Sequence, residues 1–326
     1  MGMTRWYSTR NRTATSGRIS HDFEETVNIW TDFFVGISKP EMCYTDGTMT
    51  PFDLQYREAI RRIMEDVVEE RHERTGTTTR ALPGVTFQID LEEGFPLLTL
   101  RKIPVKLFVA EQVWFVSGER QTSHFLRDFT KIWDDFAEED GTISTAYGYR
   151  WRHHFGRDQL MELVRHLEAE PTSRHGVVVT WDPSDDGLTA PKKKNVPCPF
   201  TYVVNIIGGR LNLHNVVRSN DMMLGCPHDA AGFALLAYLL AQKLGVRPGM
   251  YTHSISHAHV YGDHFEHALE LLSHEHDHPA VKLDLPPNSF DRALRSDKNL
   301  VQEIFEILSS QYQPCESKLG RMKIAL

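Results

Sequence analysis

The chain has 326 residues, 40% hydrophobic and 25% charged, a balance that supports a substantial core and gives no sign of long disordered spans. Its formal net charge of -8 excludes a general nucleic-acid surface, which needs a basic excess, while leaving room for a local anion pocket. No apolar run approaches the roughly 20 residues that cross a bilayer and the polar start lacks a signal peptide's apolar segment, so a cytoplasmic protein is expected, with Cys43, Cys198, Cys226 and Cys315 as free thiols.

Residues 1–50 are polar and irregular, end near the turn signal Thr45-Asp46-Gly47-Thr48, and read as an extension without an assigned role. Residues 51–326 read as the catalytic domain. From Phe52 to Arg71, Leu54, Ile60, Ile63, Val67 and Val68 recur at helical spacing between charges, which predicts an amphipathic helix. Arg74 to Arg80 links it to GVTFQIDL, whose alternation predicts a strand. LFVAEQVWFVSG then reads as a mostly buried helix with one acid, Glu111. A buried carboxylate is costly unless it is paired, solvated or used.

Further on, GVVVTW (Gly176 to Trp181) predicts a strand, and FTYVVNIIGGRLNLHNVVRS predicts a hairpin around Gly208-Gly209. Asp229 to Leu244 predicts a helix that turns Phe233, Leu236, Leu239 and Leu240 to a core and stops near Gly245. MYTHSISHAHVY is a further strand. The mixture predicts an α+β domain with helices packed on one sheet. Asp229, at the head of the apolar helix, has two readings: an N-cap that accepts from free backbone N–H groups, or a carboxylate that reads a ligand.

EEGFPLLTLRK, AEQVWFVSG, KIWDDFAEEDG, AYGYRWR, NVPCPF, RSNDMMLG and HAHVYGDH stand in the order of the signature blocks of the thymidylate synthase family, which the chain resembles from Phe52 to Leu272 and in its last residues. The resemblance implies a large mixed β-sheet with packed helices, a sheet-mediated homodimer, a pyrimidine nucleoside monophosphate substrate, and 5,10-methylenetetrahydrofolate as one-carbon donor, without metal, membrane or nucleic acid. It implies Cys198 as the nucleophile that adds to C6, with Arg218 favouring its thiolate. Glu111 and Tyr147 then order water and help remove the C5 proton. The phosphate falls to Arg74, Arg218 and Ser219, and to Arg174 across the dimer interface. His259 and Tyr261, two apart on one strand face, hold the ribose hydroxyl. Trp133 and Asp221 contact the folate, and the tail ending at Leu326 closes over it. The family usually has a second arginine after Arg174; His175 stands there instead, so phosphate affinity is expected to be weaker or pH dependent.

Three departures bear on the base. Asp229 stands where thymidylate synthases have an asparagine, Pro199 where a histidine follows the nucleophile, and Val217 where a glutamine precedes the arginine. Together they resemble the cytidylate (CMP or dCMP) 5-hydroxymethylase branch, in which Cys198 adds to C6, C5 takes the methylene, and water rather than hydride completes the reaction. CMP is slightly favoured over dCMP, because the N-terminal extension gives room to remodel the sugar side; CMP suits a modified cytosine metabolite such as a nucleoside antibiotic. Glu111 is by position the candidate for placing the water. The alternatives are a thymidylate synthase methylating dUMP, a nucleotide-binding protein without catalysis, and a metal-binding module at His274, His276 and His278.

Overall fold

The computed structural model describes residues 49–71, 76–188 and 195–323. Helix α1 (Pro51–Asp66) starts where its capping chemistry dictates: the Thr50 hydroxyl accepts from the Asp53 N–H at 3.1 Å and donates to its carboxylate at 2.7 Å, with Pro51 in the first turn. It stops short of the expected Arg71. Val67 is already extended, as suits the β-branched pair Val67-Val68, and Glu70–Arg71 form strand β1.

Strand β2 (Thr78–Asp90) begins earlier than the alternation at Gly84 suggests, because its first half pairs with β7 (Arg247–Tyr261) as fully as its second. Val85, Phe87 and Ile89 point into the core while Thr86 and Gln88 face out. The predicted hairpin forms as β4 (Pro199–Ile207) and β5 (Arg210–Val217). Gly208 and Gly209 take φ of +60° and +72°, which a two-residue turn of this hand demands. With the short β3 (Val177–Val179) the sheet order is β1-β2-β7-β5-β4-β3, and β6 (Asn220–Asp221) lies on β7.

Strands β5 and β7 are parallel because helix α4 (Gly225–Leu244) carries the chain back between them. Phe233, Leu236, Leu239 and Leu240 are buried as expected, and Gly245 ends the helix in the left-handed region. Helix α4 packs on β5 and β7 and also on α2 (Val105–Ser117); α3 (Gln159–Ala169) lies over β3, and α1 over β2. Helices α5 (Phe265–Leu272), α6 (Ser289–Ala293) and α7 (Lys298–Ser309) follow, α7 against α2. This is the α+β arrangement of a mixed sheet with packed helices.

A single helical turn, Tyr147–Tyr149, runs into a π-helical turn over Arg150–His154 and presses on α2. A Cβ at Gly148 would stand 1.8 Å from the Phe115 carbonyl oxygen, a backbone atom held in its own helix. Gly148→Ala is therefore expected to destabilise the fold by about 2 kcal/mol or more, read as a lower urea midpoint. An unchanged midpoint would refute the close approach.

Candidate active site

Cys198 immediately precedes β4, next to a register shift between Pro199 and Thr201, an irregularity of the kind that re-aims side chains. Arg218, at the end of β5, is clasped to the cysteine loop. Its N–H donates to Cys198 O at 2.9 Å, its Nε to Pro197 O at 2.8 Å and its Nη2 to Val196 O at 3.0 Å. The same Nη2 reaches Cys198 Sγ at 3.6 Å. A fixed guanidinium on the sulfur stabilises the thiolate over the thiol.

Glu111, in the middle of α2, accepts at Oε1 from Trp133 Nε1 at 2.6 Å. Asp229 accepts at Oδ2 from Asn220 Nδ2 at 2.8 Å. Both acids keep some accessible surface yet are largely enclosed by protein. Burial pushes Glu111 up to about 8, opposed by the Trp133 hydrogen bond and reinforced by the charge of Asp229. Burial likewise pushes Asp229 up to about 7, opposed by Asn220. Burial, then the charges of Cys198 and Asp229, raise the Tyr147 hydroxyl well above its usual range, and the Cys198 backbone hydrogen-bonds it. The thiol, the tyrosine and the two acids thus act on one another. Acids poised near neutrality are equipped to hold or release a proton at a reacting centre.

The capping reading of Asp229 is corrected by the helix itself, which starts at Gly225 and puts Asp229 in its second turn. The start is tied instead by Asp221, whose Oδ1 accepts from the N–H groups of Met223 at 2.9 Å and Leu224 at 3.3 Å. Asp229 caps no N–H among the described residues; its recorded partner is the Asn220 side chain. Its carboxylate is left for another purpose.

His259 and Tyr261 come together on β7, both mostly buried, with ring centroids 4.8 Å apart and planes at 85°. His259 is the register partner of Asp221, and the Met222 N–H donates to its carbonyl at 2.8 Å, so the pair expected to hold the sugar and the carboxylate expected to contact the folate are neighbours. Ser219 follows Arg218 and is partly exposed. Trp133 stands edge-on to Phe115 and Tyr147. Arg174 and His175 lie exposed between α3 and β3. Arg74, Leu326, Cys43 and residues 1–48 lie outside the described residues.

Residues the motifs did not single out complete the site. Asn220 Oδ1 lies 3.0 Å from His253 Nε2, and His253 Nδ1 lies 2.8 Å from the Tyr251 hydroxyl. Strand parity carries a signal for them, since Tyr251 and His253 share the odd positions of β7 with His259 and Tyr261. Two histidines of the alternative metal-binding module are engaged elsewhere: His274 Nδ1 donates to Leu100 O at 2.7 Å, and His276 Nε2 bonds Thr99 Oγ1 at 2.8 Å. Among the described residues, His154, Asp182 and Asp185 bring possible metal-ligand atoms within 4.8 Å of one another. The guanidinium of Arg150 already bonds His154 at 2.7 Å and Asp185 at 3.1 Å, so a cation occupies that cluster.

A cysteine backed by arginine, with a tyrosine and two acids acting on one another beside it, is a set of groups suited to nucleophilic catalysis with proton transfer. The chain belongs to the thymidylate synthase family, whose profile matches residues 54–313. Membership carries folate-dependent one-carbon transfer to a pyrimidine nucleotide, with methylenetetrahydrofolate as the donor. The match passes Leu272, where the resemblance in the signature blocks ends, and takes in α6 and α7.

Proposed function

We propose that the protein hydroxymethylates C5 of a cytosine nucleoside monophosphate, CMP in slight preference to dCMP. The observation that carries this reading is Asp229: a carboxylate in the second turn of α4, capping no backbone, held from behind by Asn220 and acting electrostatically on Tyr147 and Glu111. Cytosine presents a bare N3 and an amino group at C4. A carboxylate accepts from the amino group and shares a proton with N3. Uracil presents N3–H and O4, so an ionised Asp229 opposes O4 acceptor to acceptor, a mismatch of about 1–3 kcal/mol. Pro199 and Val217 support the same conclusion, being buried register partners beside Cys198 that offer no side-chain hydrogen bond.

In this reading Cys198 adds to C6 and Arg218 stabilises the thiolate that attacks. Trp133 and Asp221 suit a folate: a partly exposed indole to stack on and a partly exposed carboxylate to accept from ring N–H groups. Methylenetetrahydrofolate, when bound, supplies the one-carbon unit that C5 takes up. Glu111 and Tyr147 handle the C5 proton; Glu111 places the water that adds to the methylene on C5 to complete the hydroxymethyl group, and Cys198 then leaves C6 as the thiolate. Arg74, Arg218 and Ser219 hold the phosphate, His259 and Tyr261 the ribose, and the tail through Leu326 closes the site. A second copy of the chain docks on the outer sheet face around Thr86, His214 and Ser254, and Arg174 reaches that copy's phosphate site.

Purified protein given methylenetetrahydrofolate with CMP, dCMP, UMP or dUMP separately, and products weighed by mass spectrometry, tests the proposal. A hydroxymethyl gain on a cytosine nucleotide with tetrahydrofolate left intact is expected. A methyl gain on dUMP with dihydrofolate formed would overturn it and make Asp229 a neutral imitation of asparagine.

A further inference from the structure

Behind Asp229 runs a hydrogen-bonded chain with a fixed direction. His253 Nδ1 faces the Tyr251 hydroxyl at 2.8 Å and Asn215 Nδ2 at 3.4 Å. The Asn220 amide gives its nitrogen to the Asp229 carboxylate, so the oxygen beside Nε2 only accepts; the single proton of a neutral imidazole then sits on Nε2, and Nδ1 accepts. Burial, helped by the charge of His214, holds His253 down to about 3 and therefore neutral. Its Nε2–H donates to Asn220 Oδ1 at 3.0 Å, which leaves the Asn220 amide nitrogen for Asp229 Oδ2 at 2.8 Å. Asn215, Asn220, Tyr251 and His253 are each at most 3% exposed, so bulk water does not offer substitute partners.

We propose that His253, acting through Asn220, is the positioning residue that keeps Asp229 an acceptor toward the base, and so sets the preference for a cytosine over a uracil nucleotide. The inference rests on the reading of Asp229 as base reader. Were the Asn220 amide free to turn over, its Oδ1 would face Asp229 and favour the protonated acid, the form that imitates asparagine and tolerates uracil. Reversing the amide would set Oδ1 aside from the His253 Nε2–H and leave a buried donor unpaired. His253 thus fixes the orientation from a strand that does not carry Asp229. The titratable groups coupled to the Asp229 charge are Glu111 from α2, Tyr147 from the turn below it, Tyr251 from β7 and Cys226 from α4 itself.

The test compares dissociation constants of CMP, dCMP, UMP and dUMP across neutral pH for the unmodified protein, His253→Phe, His253→Gln and Asn220→Ala. Phenylalanine keeps a ring against Phe87, with which His253 stacks at 6.3 Å, but removes the donor; glutamine restores one. The cytosine-to-uracil affinity ratio is expected to fall about fivefold or more in His253→Phe and in Asn220→Ala. It should recover in His253→Gln, and the pH at which the ratio changes should rise in the first two. His253→Phe made on top of Asn220→Ala should change the ratio no further. If His253→Phe does not fold, His253→Leu, which likewise removes the donor, takes its place, and Asn220→Ala tests the link independently. Equal weakening of all four nucleotides, or a ratio unmoved by Asn220→Ala, would overturn the inference while leaving the hydroxymethylase reading intact. A lack of cytosine preference in the unmodified protein would instead remove the reading of Asp229, and this inference with it.

Discussion

Cys198→Ser is expected to lower turnover by at least about a thousandfold while nucleotide affinity stays measurable. A serine hydroxyl is a far weaker nucleophile at neutral pH, and a cation that stabilises a thiolate does not make an alkoxide accessible. The pocket should survive, since Arg218 is held by the backbone carbonyls of Val196, Pro197 and Cys198 and does not depend on the sulfur for its position. No other described cysteine is suited to the role. Burial, with the charges of Asp229 and Asp221, pushes the Cys226 thiol well up; burial and Asp53 raise Cys315, which lies near Thr99. Turnover by product mass and affinity by calorimetry separate the two effects. Retained turnover would move the nucleophile away from Cys198.

The limits of the sequence are plainest at α4. Gly225-Cys226-Pro227 reads as a turn because proline breaks a helix interior, so the helix is expected to begin at Asp229. Pro227 lies in the first turn, where its missing N–H has no partner to lose, and Asp221 satisfies the two N–H groups just ahead of the helix. The helix therefore takes four more residues, and Asp229 ceases to be a cap. Strand β2 is longer than its alternation for a related reason: pairing with β7, which lies far along the chain, recruits Thr79 to Pro83 regardless of local pattern. Short motifs point to candidates for the chemistry, as at Cys198, Arg218 and His259, and the fold brings Cys198 and Arg218 together. The site was not legible at Asn220 and His253, whose link joins positions 33 residues apart and exists only once β6 is laid beside β7.

Asp229→Asn is expected to reverse the base preference. The substitution replaces one acceptor oxygen by a permanent donor, and with one or two hydrogen bonds changing sign at about 1–3 kcal/mol each, the cytosine-to-uracil ratio of kcat/KM should drop roughly 10- to 1,000-fold. The surroundings accommodate it. Asn220 Nδ2 donates to Oδ2 of Asp229, and a carbonyl oxygen in that place accepts from Asn220 and from uracil N3–H together, leaving the new amide nitrogen for O4. The pH dependence follows from the sign of the shift. Asp229 titrates at about 7, so it is ionised above that value and neutral below it. Discrimination against uracil belongs to the ionised form; it should be largest above about pH 7, shrink as the pH falls, and become flat over this range in Asp229→Asn. Glu111 supplies an internal check. Part of its elevation to about 8 comes from the Asp229 charge opposing its ionisation, so the neutral asparagine should lower it and move the corresponding limb of the pH–rate profile to lower pH. A base ratio that ignores both the substitution and the pH would separate Asp229 from recognition altogether, and the preference would then have to arise from the apolar wall of Pro199 and Val217 beside the nucleophile.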